Sequence, residues 1–240
     1  VETTGGLDTV AVRMPRHPIA LDFIREAGGF VAAPSANRSG KPSPTIAKYV
    51  REDMNGKIEM ILSSDTVDIG VESTIVDFTS DEISILRPGF ITKEVILDVL
   101  DREDIRQVVL GEDTKDAPKA PGMKYRHYAP KGELTIIEGK KEEVICRINE
   151  LVKIAKQAGD QTGVLATEES KDAYQADVVK SVGAKENPME IAYNIYRVLR
   201  EFDDEEVTKI YSESFEVAGM GQAVMNRLLK AAGNHVEKID

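Results

Sequence analysis

The chain has 240 residues, 41% hydrophobic and 30% charged, with a net charge of −11. That length and balance fit one large or two small globular domains and exclude a disordered chain. The acidic excess argues against a broad nucleic-acid surface, which needs clustered Lys and Arg, and no apolar run is long enough to cross a bilayer.

In chain order, residues 1–8 are polar and Gly-rich. Thr9-Val-Ala-Val-Arg-Met alternates and predicts a strand ending at Pro15, with Arg13 near its end. Pro18 to Ala27 predicts a helix, since Ile19, Phe23, Ile24 and Ala27 share a face and Gly28-Gly29 caps it. Gly29 to Ala33 reads as a buried strand. A polar loop follows, Pro34-Ser-Ala-Asn-Arg-Ser-Gly-Lys-Pro-Ser-Pro-Thr45, and then a helix from Ile46 to Met54. Ser43 suits the cap of that helix and Pro44 its first position. Hydroxyls, one amide and the free amide hydrogens of a helix start can face one ligand there, and such a place suits an anion. An ordinary strand-to-helix loop punctuated by proline has the same grammar.

Lys57 to Leu62 predicts another strand. Ser73 to Phe78 and Ile83 to Arg87 predict a hairpin about Thr79-Ser-Asp-Glu82. Thr92 to Asp101 predicts a helix burying Val95, Ile96, Val99 and Leu100. Residues 101–133 have little periodicity and read as a linker crossing the first domain, because structureless segments this long are uncommon and often functional. From Leu134 strands and helices alternate. Strands are expected at 134–137, 163–166, 176–179 and 207–212, and helices at 141–157, near 170–174, at 188–202 and at 221–232. That alternation implies a parallel sheet covered on both faces. No Gly-x-Gly-x-x-Gly fingerprint follows its first strand. Gly219-Met-Gly221 opens the last helix and reads as a cap. The fold class expected is α/β, a partial α/β domain with a twisted sheet over residues 1–100, a linker, and a small Rossmann-like domain over residues 134–240.

Cys146 is the one cysteine, which excludes an internal disulfide framework and fits a reducing cytoplasm. It lies off the apolar stripe of its helix and reads as structural. The three histidines show no zinc-site spacing. His17 reads as a helix-start residue and His235 as solvated. Arg13 could fork onto a carboxylate or make a surface ion pair. Arg87 could neutralise phosphate or be an exposed charge. Lys124-Tyr-Arg-His-Tyr128 is basic and aromatic in an acidic chain, which suits either a tethered linker or a lid.

The wording of four stretches goes further. Pro34-Ser-Ala-Asn-Arg-Ser-Gly40 resembles the signature of the YrdC-type threonylcarbamoyl-AMP synthases. Val10-Ala-Val-Arg-Met-Pro15, Gly70-Val-Glu-Ser-Thr-Ile-Val76 with Leu86-Arg-Pro-Gly89, and Pro121-Gly-Met-Lys-Tyr-Arg-His-Tyr-Ala-Pro130 agree with it in order. The last is similar to the long form, which carries a linker and an extra C-terminal domain. The resemblance implies synthesis of L-threonylcarbamoyladenylate from L-threonine, bicarbonate and ATP, with magnesium, for a tRNA modification completed by separate threonylcarbamoyl-transfer proteins. By the same resemblance Arg13, Ser35 and Ser73 would hold L-threonine. Thr9, Asn37, Thr45, Arg87 and Tyr125 would bind ATP, and Tyr125, His127 and Tyr128 would form a lid. A monomeric cytoplasmic protein with weak or no direct tRNA binding is expected.

The family's N-terminal Thr-x-Tyr-Gly-type segment and Lys-x-Arg nucleotide loop have no counterpart here, so the chain is expected to start inside the catalytic domain as a truncated form. Ser64-Asp-Thr66 stands where the family has a Gly-rich stretch. The rival readings are a non-catalytic RNA- or nucleotide-binding module, and a C-terminal domain that senses nucleotide.

Overall fold

The computed structural model describes residues 8–64, 67–101, 105–107 and 128–239. The best-packed part is a five-stranded sheet of β4 (Glu133–Glu138), β5 (Thr162–Ala166), β6 (Val178–Ser181), β7 (Lys209–Glu213) and β8 (Val236–Lys238), in the order β6-β5-β7-β4-β8. Every pairing in it is parallel. The chain steps one way along the sheet from β4 through β5 to β6 and the other way through β7 to β8. Right-handed crossovers then put the connecting helices on opposite faces. Accordingly α4 (Lys141–Gln157) covers one face, with Val144, Ile148 and Val152 packed on Ile137 and Val164. The other face carries α5 (Pro188–Asp204) and α6 (Met220–Ala231), with Ile195, Leu199, Val224 and Leu228 packed on Leu134, Ile136 and Ile210. The expected parallel sheet is present. β8 was not anticipated, and the third strand forms at 178–181 rather than 176–179.

The first hundred residues are less regular. The helix expected at 18–27 is α1 (Pro18–Glu26), and Gly28 and Gly29 both take φ +98° after it. The expected hairpin is β1 (Ile75–Asp77) paired antiparallel with β2 (Ser84–Arg87). Beside it lie α3 (Lys93–Leu100) and β3 (Arg106–Gln107), the latter parallel to β2. Ile85, Ile96 and Ile105 form a small core there. The linker thus contributes a short strand before leaving the described residues.

Three expectations fail. The segments 9–14, 29–33 and 57–62 are not strands. Alternation supplies a pattern, but a strand also needs a neighbour to complete its ladder, and no described residue pairs with them. Most of their apolar side chains stay exposed: Val12 is 89% and Phe30 87% accessible. On α3 only Ile96 is buried, while Val95 and Val99 face outward, because the small sheet covers one narrow stripe of the helix.

α2 (Ala47–Met54) starts one residue late, capped by Ile46 without a side-chain bond. Ser43 is not its cap, because its hydroxyl is used elsewhere. Gly56, at φ +73°, turns the chain after α2 as expected. Cys146 is exposed.

Candidate functional site: a polar junction between the loop segments and the C-terminal helices

The loop 34–45 folds on itself through Asn37, whose amide donates to the carbonyls of Arg38 (2.9 Å) and Lys41 (3.2 Å). The other end of that amide, Oδ1, is buried and meets no donor among the described residues. A buried acceptor without a donor is costly unless a ligand supplies one. Behind the loop stands Asp53 of α2, only 1% accessible. It accepts from the Arg38 backbone N–H (3.3 Å), Lys41 Nζ (3.0 Å) and Arg200 Nη2 of α5 (2.6 Å). Arg200 Nε also donates to the Pro42 carbonyl (2.9 Å). Burial works against the Asp53 charge, but Arg200 and Lys41 outweigh it and bring its carboxyl down to about 2. The same helix face docks Tyr49, whose ring lies 5.4 Å from the Arg200 guanidinium and whose hydroxyl donates to Asp204 (3.1 Å).

A second carboxylate, Glu72, organises the other side. It accepts from Ser43 Oγ of the loop (2.6 Å), from the Tyr196 hydroxyl of α5 (2.9 Å) and from Arg227 Nε of α6 (3.0 Å). Arg227 further donates to the carbonyls of Glu72 (3.0 Å) and Pro88 (2.6 Å). Desolvation opposes ionisation of Glu72, yet Arg227 and Ser43 overcome it and hold its carboxyl below the ordinary range.

Val71 is buried in the C-terminal core. Gly70 lies so close to α5 that a Cβ would sit 2.3 Å from the Ala192 carbonyl oxygen. Gly89 lies equally close to residues 72–74, with its own virtual Cβ 2.4 Å from the Thr74 nitrogen. A glycine is needed where backbones approach this closely.

Arg87, at the end of β2, donates from Nε to the Ser73 carbonyl (3.0 Å). Burial and the neighbouring Arg227 charge lower its pKa. Lys230 of α6 is pushed down to about 8 by burial, with Arg227 and Arg87 adding repulsion. Among the described residues, Arg87, Arg227 and Lys230 all interact with the one carboxylate Glu72. Clustered positive charge suits a polyanion. Tyr128 packs into the same place, its ring 5.2 Å from that of Tyr196. Burial raises its pKa, the Glu72 charge adds to the effect, and a hydrogen bond with Arg87 opposes it. The next residue, Ala129, donates its N–H to the Gly40 carbonyl (3.0 Å), so the end of the linker touches the loop.

Of the residues singled out in the sequence, Asn37, Thr45, Ser73, Arg87 and Tyr128 lie on the segments gathered at this junction. Thr45 is buried, while Ser35 and Ser73 are exposed. Thr9 and Arg13 lie on the exposed segment 8–15. The Arg16–Asp68 pair (3.0 Å) ties the end of that segment to the stretch before Gly70. Tyr125 and His127 lie outside the described residues, as does Thr66 of the Ser64-Asp-Thr66 departure. Sequence reasoning missed Glu72, Tyr196, Arg200, Arg227 and Lys230. The signal available for the arginines was a single charge inside an apolar helix face, which is expensive unless it is partnered.

No group of three or more His, Cys, Asp or Glu side chains suited to a metal occurs among the described residues. The two carboxylates nearest the junction, Asp53 and Glu72, are taken up by arginine, lysine and hydroxyl donors. They do not fit a resident magnesium site.

A doubly wound α/β unit whose helices grip polar loops defines a two-part α/β protein. Residues 91–233 match the family described as "Threonylcarbamoyl-AMP synthase, C-terminal domain", and residues 2–89 match the one described as "Telomere recombination". The threonylcarbamoyl-AMP synthase of Bacillus subtilis (strain 168) is 47% identical over 233 residues, which is 97% of this chain and 66% of that protein. The enzyme of the same name from Pyrococcus abyssi is 46% identical, over 98% of this chain and 67% of its own. The crystal structure of P. abyssi Sua5 complexed with L-threonine superposes with a TM-score of 0.90 at 46% identity, covering 99% of this chain and 68% of that one. The chain belongs to the threonylcarbamoyl-AMP synthase family, and it spans about two thirds of the length of the relatives it matches.

Proposed function

We propose that the protein makes L-threonylcarbamoyladenylate from L-threonine, bicarbonate and ATP, releasing pyrophosphate. The observation that carries this reading is the junction itself, where the unmatched Asn37 acceptor and Arg87 lie on segments worded like the family signature and Arg227 and Lys230 add charge from α6. The named relatives and the threonine-bound structure of P. abyssi Sua5 support it.

The threonine amine attacks the carbon of carbon dioxide or bicarbonate to give a carbamate. A carbamate oxygen then attacks the α-phosphorus of ATP, and pyrophosphate leaves. This chemistry asks for positioning and charge stabilisation rather than a covalent group on the protein. Arg13 forks onto the threonine carboxylate, with Ser35 and Ser73 beside it. Thr9, Asn37 and Thr45 meet the nucleotide, and Arg87 faces phosphate charge. Tyr125, His127 and Tyr128 form a lid that keeps water from the labile product. Magnesium arrives with the ATP phosphates. The organisation is a catalytic part over 1–100, a linker over 101–133 and a C-terminal domain over 134–240, in a cytoplasmic monomer that hands its product to separate transfer proteins.

The test is pyrophosphate release from ATP, with and without L-threonine and bicarbonate, together with mass spectrometry of the nucleotide product. Release that depends on both, with a threonylcarbamoyl adenylate formed, is the expected result. Release independent of threonine refutes the reading.

A further inference from the structure

We infer that α5 and α6 supply positioning residues for the substrate site, Arg227 and Tyr196 for the segments bearing Ser73 and Arg87 and Arg200 for the loop bearing Ser35 and Asn37; this rests on the reading above. Glu72 immediately precedes Ser73, and its carboxylate is the meeting point of three otherwise separate pieces. Ser43 brings the loop to it, while Tyr196 and Arg227 bring the two C-terminal helices. Arg227 is fully buried, and its three outward bonds all end on residues 72 and 88. Its guanidinium therefore fixes the backbone just before Ser73 and just after Arg87, which are themselves joined. Gly70 against Ala192 and the buried Val71 leave this stretch no room to slide along α5.

Arg200 does the same for the other half of the site. Its two bonds end on Asp53 and on the Pro42 carbonyl, and Asp53 holds Arg38 and Lys41 in turn. The loop that carries Asn37 is thereby fixed from outside the first hundred residues. A planar, five-donor arginine suits such a role because it can bridge a carboxylate and carbonyls at once. The two latches are separate in their partners, so each fixes its own segment of the site. The C-terminal part is then a component of the site rather than an appendage.

The experiment compares the wild-type chain with Tyr196→Phe, Arg227→Lys and Arg200→Lys. Tyr196→Phe keeps the ring and its packing and removes only the bond to Glu72, so it retains the fold. Steady-state kinetics are read beside amide hydrogen exchange at residues 43–45 and 70–74. Each variant should raise the KM of both threonine and ATP about tenfold, as expected when uniform binding is lost. Exchange should quicken at 70–74 in Tyr196→Phe and Arg227→Lys, and at 43–45 in Arg200→Lys. Unchanged KM values at full folding, or exchange unchanged at the segment each latch holds, overturn the inference. If the wild type shows no threonine-dependent turnover, the function reading is what fails. The latches are then judged by exchange alone: faster exchange at 70–74 in Tyr196→Phe upholds them, and unchanged exchange overturns them.

Discussion

Replacing Arg200 by Met isolates the most deeply buried ion pair of the junction. The pair is almost wholly out of solvent, with side-chain accessibilities of 3% and 1%. Removing one partner of such a pair leaves a buried charge and costs about 3–5 kcal/mol. Asp53 keeps Lys41 and the Arg38 N–H, which argues for the low end, about 3 kcal/mol. Acid adds a second reading. The carboxyl titrates at about 2 when folded against 3.8 ordinarily. Its stabilisation is therefore complete above about pH 4 and is lost as pH falls toward about 2. Without Arg200 the folded carboxyl moves up toward 3.8, so the acid-dependent loss becomes smaller. Urea unfolding followed by far-UV circular dichroism suits a chain without tryptophan. It should be run from pH 7 to pH 3 on the wild type, Arg200→Met, and the double variant Asp53→Leu with Arg200→Met. The double variant should recover most of the loss, because it removes both charges. A single-variant cost under about 1 kcal/mol, as for a solvent-screened pair, or an acid loss as large as that of the wild type, would refute the reasoning.

The other predictions are brief. Lys230→Met should be more stable than the wild type at pH 7, since burial and Arg227 disfavour the charged amine when folded. Its folded pKa of about 8 lies below the ordinary 10.5, so wild-type stability gains as pH rises between those values and the advantage of the variant closes; equal pH profiles in urea unfolding would contradict this. Gly70→Ala puts a methyl 2.3 Å from the Ala192 carbonyl oxygen and should cost about 1–3 kcal/mol by overpacking, read as a lower melting temperature. Asn37→Ala should raise the ATP KM about tenfold, the loss of one hydrogen bond to a charged ligand, and unchanged ATP kinetics would count against the nucleotide role. Arg13→Lys keeps the charge but loses the fork, so threonine affinity should fall with ATP affinity near normal; equal loss for both would indicate misfolding.

The C-terminal sheet could be read from the sequence because each of its segments meets its own needs locally. Apolar runs such as Gly163-Val-Leu-Ala166 are buried on both faces, and the stripe of α5 sits at helical spacing. Segments 9–14, 29–33 and 57–62 carry comparable patterns yet form no ladder. Periodicity says which side of a strand is apolar, not which strand lies next to it. Val95 and Val99 fail for the same reason, since α3 has the stripe but its small sheet buries Ile96, with Leu97 and Leu100 only partly covered.

The site was half legible. The loop, the Gly70–Val76 stretch and Arg87 could be picked out by wording, and the chain does bring the last two together through Arg87 and the Ser73 carbonyl. What the wording could not show is what holds them. Glu72 looks like one more acidic residue in a chain with 42 of them. Its role appears only when Ser43, 29 positions away, and Arg227, 155 away, converge on it. α5 buries Tyr196, Arg200 and Asp203 on one flank as well as Ile191, Ile195 and Leu199 on another. A helix resting only on its sheet would leave that polar flank to water. A second burial surface on α5 therefore means that the junction is built into the sequence of the C-terminal helices. A variant that loosens this flank should disturb ligand binding before it melts the sheet.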